Sequence, residues 1–244
     1  MVNTTIDNPS SAKPFVAWAL GLSRSGLIDL PEIGLAHEAA AAALYRLMKR
    51  AQKAGFKLSI ASGYRDYERQ LAIFNAKIRG ERPVYADSGI LLSMQSLGSR
   101  DWLHAILRYS ALPGTSRHHW GTDIDLIAVQ PKVEGDVLLP HLFENEGPYA
   151  PLKKWMDEHA NSFGFHLVYT KDHERKGFQY EPWHYSYLPV SKKNLELYLK
   201  LELESILKDK NILGKEYFTE EFMQHYLEEY ILGISPELLF QKKE

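Results

Sequence analysis

The chain of 244 residues has no cysteine. That absence removes disulfide frameworks, thiolate metal sites and cysteine nucleophiles together, so any metal must be held by imidazole and carboxylate groups. Ten histidines and 31 acidic residues leave that route open. The compartment stays unspecified, because a chain without thiols suits oxidising and reducing spaces alike. A charge bias is also missing. Twenty-nine Lys plus Arg against 31 Asp plus Glu give a formal charge of -2, without the basic footprint expected of a nucleic-acid binder. No uninterrupted apolar run approaches the roughly 20 residues that cross a bilayer. The opening segment MVNTTIDNPSSAKPF shows neither the basic start nor the apolar stretch of about 7 to 15 residues of a secretory signal. A soluble chain is expected, with any export signal already removed.

What is present is an ordinary globular composition, 45% hydrophobic and 25% charged, long enough for one large domain or one domain with an appendage. Residues 1–11 are polar and read as an extended lead-in. Over residues 37–54, Ala40, Leu44, Leu47, Met48 and Ala51 recur at helical spacing, with Gly55 at the C-terminal cap. Phe56, Leu58 and Ile60 then alternate with Lys57 and Ser59 as in a half-buried strand, and Ser62-Gly63 makes a turn. Leu71, Phe74 and Ile78 predict a helix over residues 66–79, which puts Arg65 at a strand-to-helix junction. Residues 80–112 form an irregular excursion with a short helix near residues 102–109. Strands are expected over 122–129 (TDIDLIAV), 165–169 and 183–188, and a helix over 152–161. Helices mixed with separated strands indicate the α+β class. Beyond Ser191, LELYLKLELESILKDK and TEEFMQHYLEEYIL are helical by pattern. The expected organisation is one domain over residues 1–190 and a helical extension, 191–244, packed on it or appended to it.

Chemistry-bearing residues crowd into two places. Residues 113–126 (PGTSRHHWGTDIDL) hold two histidines, a glycine turn and two alternate aspartates. In a strand Asp123 and Asp125 share one face, and a carboxylate there is costly to bury unless it meets a cation or a metal. Glu181-Pro182-Trp183-His184 places a carboxylate and an imidazole near the start of another strand. A lone histidine in such a chain is more often structural than a ligand. Together, however, the clusters supply the set that hydrolytic zinc chemistry needs: three N/O ligands and a carboxylate to take a proton from water.

Ser116-x-His118-x-x-Gly121 followed by Asp125, with Glu181-x-Trp183-His184 downstream, resembles the VanY-like zinc carboxypeptidases. These cleave peptidoglycan stem peptides and belong to a wider superfamily with hedgehog-type and lysostaphin-type domains. Residues 62–70 (SGYRDYERQ) are similar to a third segment of that family. The resemblance covers roughly residues 44–190. It implies a small antiparallel sheet flanked by helices, one zinc ion bound by His118, Asp125 and His184, and Glu181 as general base. Arg65 is implied to grip substrate and the developing oxyanion, with Ser116 and Gln70 meeting the substrate's terminal carboxylate or backbone. Three positions depart from the family's pattern: Asp123 stands where a small residue is usual, Asp66 where Ser is common, and Ser186 where Arg often follows Trp-His. Asp123 then either adds negative charge beside the metal strand or pairs with a neighbour.

The implied activity is removal of a terminal D-alanine from stem peptides or muropeptides, with D,D or L,D specificity left open. Two other readings stand beside it, a peptidoglycan endopeptidase and a zinc-containing cell-wall binding module without activity. The substrate implies the periplasm or cell envelope, or the cytoplasm for an enzyme that trims precursors. Oligomeric state is not legible. His119 is expected to turn away from His118, since successive residues of an extended segment face opposite ways. Trp120 and Trp183 are expected as site walls or core. His37, His104, His159, His166 and His225 default to structural roles, and His141 and His173 are candidates for the site entrance.

Overall fold

Local signals for helix ends are obeyed closely enough to fix where the site-bearing loops begin. The computed structural model describes residues 14–86, 89–208 and 211–239; the polar lead-in, residues 1–11, lies outside them. A short helix α1 (Pro14–Ala19) leads to an antiparallel hairpin of β1 (Leu27–Leu30) and β2 (Gly34–His37). His37 then caps α2 (Glu38–Lys53), its Nδ1 accepting the Ala39 amide at 3.3 Å. Gly55, at a φ of +92°, lets the chain turn out of the helix as its amide reaches back to Gln52 O. Strand β3 (Leu58–Ser62) follows, and Asp66 caps α3 (Tyr67–Ile78) by accepting the Arg69 amide at 2.9 Å. Arg65 therefore sits at the expected junction. The short helix of the excursion is α4 (Ser99–Leu107), which starts three residues earlier than its pattern predicts.

Strand β4 (Asp123–Ala128), helix α5 (Ala150–His159) and strands β5 (Phe165–Leu167) and β6 (His184–Tyr187) complete the sheet region. The sheet is antiparallel throughout, in the order β3-β4-β6-β5. Its pleat sends Ile124, Leu126, Tyr185 and Phe165 into one hydrophobic cluster with Leu44 and Leu47 of α2 and Leu152 and Met156 of α5. This is the α+β arrangement the residue pattern indicates.

The chain then runs through α6 (Leu188–Tyr198), α7 (Leu203–Lys208) and α8 (Glu220–Tyr226), the last continuing as a π turn over Leu227–Ile231. Pro189, in the first turn of α6, starts that helix before the apolar periodicity does. Residue 190 consequently falls inside a helix. These segments contribute Leu195, Tyr198, Leu207, Phe218 and Tyr226 to a second cluster, shared with Leu20, Phe74, Leu103, Ile106 and Trp120. Each large apolar side chain taken from water contributes roughly 1.5 to 3 kcal/mol. The extension thus shares one core with α1, α3 and α4.

Candidate metal centre and active site

Pleating that buries Ile124 and Leu126 on one face of β4 puts Asp123 and Asp125 on the other, and β6 does the same with His184 and Ser186. Register then makes two same-face cross-strand pairs, Asp125 with His184 and Asp123 with Ser186. His118 arrives from outside the sheet, on a 3-10 turn (Arg117–Trp120) that Gly121 ends at a φ of +65°. A Cβ at Gly121 would lie 2.9 Å from the His37 amide nitrogen and 2.6 Å from Leu27 Cδ2, so only glycine fits the turn into β4. Possible ligand atoms of His118, Asp125 and His184 all lie within 4.8 Å of one another, and the three residues are buried. His118 donates from Nδ1 to Gly63 O at 2.9 Å, leaving Nε2 at 3.5 Å from Asp125 Oδ2. His184 turns Nδ1 towards Asp125 Oδ1 at 3.3 Å.

Glu181 opens the tight turn that leads into β6, its carbonyl accepting the His184 amide at 3.1 Å, and its Oε2 lies 3.1 Å from His184 Nδ1. Arg65 is held from two sides, Nη1 donating to Gln70 Oε1 at 2.7 Å and Nη2 to Ser62 Oγ at 2.8 Å. Gln70 departs from its expected contact with substrate. It is wholly buried, its Nε2 donates to Ala111 O at 2.7 Å, and it is absent from the cavity wall. Both ends of its amide are thereby taken, and it is placed to orient Arg65. A cavity of about 270 Å³ opens over the cluster, lined by Arg65, Ser116, His118, Asp125, Glu181 and His184 together with Lys77, Trp183 and residues of the 80–112 excursion. His141 and His173 are not among its lining residues.

The electrostatics favour a cation between the two imidazoles. Burial pushes the Asp125 carboxyl up to about 7, with only partial relief from the nearby His184 charge. Asp125 Oδ1 is buried without a hydrogen bond, an unusual expense for a native polar atom. Burial also opposes charge on His184, but the bonds to Asp123 and Glu181 and the field of Asp125 overcome it and carry its pKa up to about 10. His118 moves the other way, well below the ordinary range, through burial and the charges of Arg65 and His184. An orphaned carboxylate oxygen and two imidazole nitrogens turned to the same space form a donor set suited to zinc. A divalent ion there would satisfy Asp125 in place of a proton on His184.

His119 faces away from the cluster. Its Nδ1 donates to Arg65 O at 2.6 Å and its Nε2 accepts from the Gly114 amide at 3.1 Å, which fixes a neutral tautomer, and burial takes its pKa down to about 4. Trp120 belongs to the helical core, whereas Trp183 lines the cavity. Three residues in this region had no role assigned from sequence. Ser62 accepts from Arg65, Arg117 pairs with Asp123 at 2.7 Å, and Lys77 lines the cavity. Ser62 and Arg117 stand inside the very segments that carry the motifs, the one signal that pointed to them.

A family model described as VanY: D-alanyl-D-alanine carboxypeptidase matches residues 34–190. Among curated proteins, the chain is 41% identical over 96 residues to an uncharacterized protein of Haemophilus influenzae, covering 38% of this chain and 66% of that one. It is 30% identical over 148 residues to a D-alanyl-D-alanine carboxypeptidase of Enterococcus faecalis, covering 60% of this chain and 46% of the relative. The chain thus spans two thirds or less of the length of these relatives. Among solved structures, VanYB in complex with D-alanine-D-alanine aligns with a TM-score of 0.52 at 24% identity, covering 76% of this chain and 89% of that one. A mutant of the vancomycin-resistance D,D-pentapeptidase VanY in complex with Zn(II) aligns with a TM-score of 0.51 at 24% identity, covering 75% and 94%. At that identity the likeness is one of fold.

Proposed function

The chain belongs to the VanY D-alanyl-D-alanine carboxypeptidase family, and from that premise we propose that it is a zinc-dependent carboxypeptidase removing the terminal D-alanine of peptidoglycan stem peptides. The observation that carries this reading is the convergence of His118, Asp125 and His184 within 4.8 Å, with Glu181 3.1 Å from His184, at the floor of a cavity. The three would hold zinc through His118 Nε2, an Asp125 oxygen and His184 Nδ1. When bound, such an ion lowers the pKa of a coordinated water to about 7 and polarises a carbonyl.

The remaining work falls to the chain's own groups. Glu181 accepts the proton of the attacking water and passes it to the leaving amine, a role that contributes about 10²- to 10⁴-fold. Arg65, pinned by Ser62 and Gln70, presents an oriented guanidinium for the peptide's terminal carboxylate and for the oxyanion. A preorganised donor of this kind contributes about 3 to 4 kcal/mol in other hydrolases, and the planar fork suits a carboxylate. Ser116, on the cavity wall, offers a hydroxyl to the same carboxylate. Residues of the 80–112 excursion line one side of the cavity, so they set how much peptide can extend beyond the scissile bond.

Glu181→Gln tests the assignment. The variant is expected to retain zinc, measured by elemental analysis, and to lose turnover of stem peptides by about 10²-fold or more. Activity close to wild type would remove Glu181 from the role of base. Mass spectrometry of tri-, tetra- and pentapeptides, with a chelator control, reads the specificity. Loss of one alanine identifies a carboxypeptidase and the peptide consumed separates D,D from L,D cleavage. Internal fragments would instead make it an endopeptidase, and zinc-loaded protein that binds the peptides uncut would make it a binding module.

A further inference from the structure

The two imidazoles of the cluster are anchored on their far sides by different chemistry. His118 donates to a backbone carbonyl, whereas His184 turns Nε2 to a carboxylate, Asp123 Oδ1, at 3.3 Å. Asp123 is wholly buried. Its Oδ1 also accepts from Arg117 Nε at 2.7 Å, and its Oδ2 accepts from Thr122 Oγ1 at 2.6 Å and Ser186 Oγ at 2.9 Å. Arg117 Nη2 closes the ring by donating to Ser186 Oγ at 2.8 Å. The two strand positions that depart from the family's pattern, Asp123 and Ser186, are therefore one cross-strand pair within one network.

A buried ion pair is poor evidence of a stabilising device, because desolvation offsets most of its attraction. This one also leaves Arg117 Nη1 buried without a partner, a further loss. Its geometry makes more sense as orientation. A carboxylate on one imidazole nitrogen keeps a proton there, frees the other nitrogen as a lone-pair donor, fixes the ring plane and strengthens the donor. We infer that Asp123, held by Arg117, Thr122 and Ser186, is a positioning residue that aims His184 Nδ1 at the metal position shared with His118 and Asp125. The inference rests on the proposed zinc reading.

Two variants of the full chain test it. Asp123→Asn keeps size and an accepting oxygen but loses the charge. Since it leaves Arg117 without its counter-ion, it is paired with a double variant, Asp123→Leu with Arg117→Met, in which an apolar pair replaces the ionic one and folding is expected to persist. Zinc affinity is measured by competition with a chromophoric chelator, and imidazole NMR of the zinc-loaded protein follows the Nε2 proton of His184. The expected result is a loss of zinc affinity of about 10- to 100-fold in both variants. The slowly exchanging Nε2 proton should also disappear in the double variant, while its chelator-treated form melts close to wild type. Wild-type zinc affinity in a folded double variant would overturn the inference and leave the zinc reading standing. Failure of the wild-type protein itself to bind zinc would overturn both.

Discussion

The two hydrophobic cores meet at the site but deliver its parts by different means. The sheet core delivers Asp125 and His184 on paired strands, where main-chain register alone makes them neighbours. The helical core delivers Ser116 and His118 on a loop without ladder bonds, held by individual side chains from distant elements. Tyr198 donates from its hydroxyl to Gly114 O at 2.7 Å. The Tyr226 hydroxyl accepts the Leu112 amide at 3.1 Å and lies 2.8 Å from Thr115 Oγ1, whose own proton goes to Leu112 O. His119 ties the same loop to Arg65. Two of the three proposed ligands are thus fixed by strand register, and the loop that carries the third is gripped from residues beyond 190, where the family match ends.

The harshest way to break that contrast is to remove residues 191–244. The helical core would lose Leu195, Tyr198, Leu207, Phe218 and Tyr226, exposing Leu20, Leu103, Ile106 and Trp120, all nearly fully buried in the intact chain. At roughly 1.5 to 3 kcal/mol per large apolar side chain, exposing these four costs about 6 to 12 kcal/mol, comparable to the whole stability of an ordinary domain, about 5 to 15 kcal/mol. The truncated chain is expected to show no cooperative thermal transition. A sharp transition together with zinc binding would mean instead that residues 1–190 stand alone and the extension is an appendage.

How much was legible follows the same division. Helices α2 and α3 and strand β4 carry regular periods with capping or turn residues at their ends, so their limits were predicted within a few residues. The proposed ligands lay in short segments of recognisable spacing. Hairpin β1-β2 was not foreseen, because each strand has only four residues and its register depends on pairing, such as Leu27 with His37, that no local pattern encodes. The run LELYLKLELESIL keeps a helical period across a real break between Tyr198 and Leu203; periodicity reports which residues are apolar, not whether the chain turns between them. The inward turn of Gln70 depends on Ala111 O, 41 residues away, and was beyond the reach of a motif. Tyr226 gave no functional sign at all, since its partner loop is more than a hundred residues distant.

A gentler pair of substitutions sharpens the comparison. Leu126→Ala, in the sheet core, leaves a cavity and is expected to cost about 2 to 5 kcal/mol in chemical denaturation. Zinc affinity of the folded fraction should stay unchanged, because the β4-β6 ladder still sets Asp125 beside His184. Tyr226→Phe removes hydrogen bonds and almost no volume, at an expected cost of about 1 to 2 kcal/mol. Despite the smaller cost it should weaken zinc binding and raise KM, by freeing the loop that bears Ser116 and His118. If Leu126→Ala weakens zinc binding more than Tyr226→Phe does, after correction for unfolded protein, the two halves do not differ as described.

The smallest effect concerns the charge that the helical side keeps in the cavity. Lys77 of α3 donates to Ser110 Oγ at 2.7 Å, and burial lowers its pKa from 10.5 to about 8, aided by Arg82 and opposed by Glu181. Between about pH 8 and 10.5 the unfolded chain binds the extra proton, so wild-type stability rises with pH through that window. Below pH 8 both states are charged and the cost of burying the ammonium is complete. Lys77→Met, close in shape and uncharged, is therefore expected to be more stable than wild type at pH 7. The gain should be on the order of 1 kcal/mol once solvent screening at the cavity is allowed for. It should shrink as pH rises past 8 and vanish near 10.5, as read from melting temperatures at a series of pH values. A difference that stays constant across that range, or a variant less stable at pH 7, would mean that Lys77 is well solvated or favourably paired. The helical side would then hold its charge at no cost, and a stability penalty for equipping the cavity would be absent from that half.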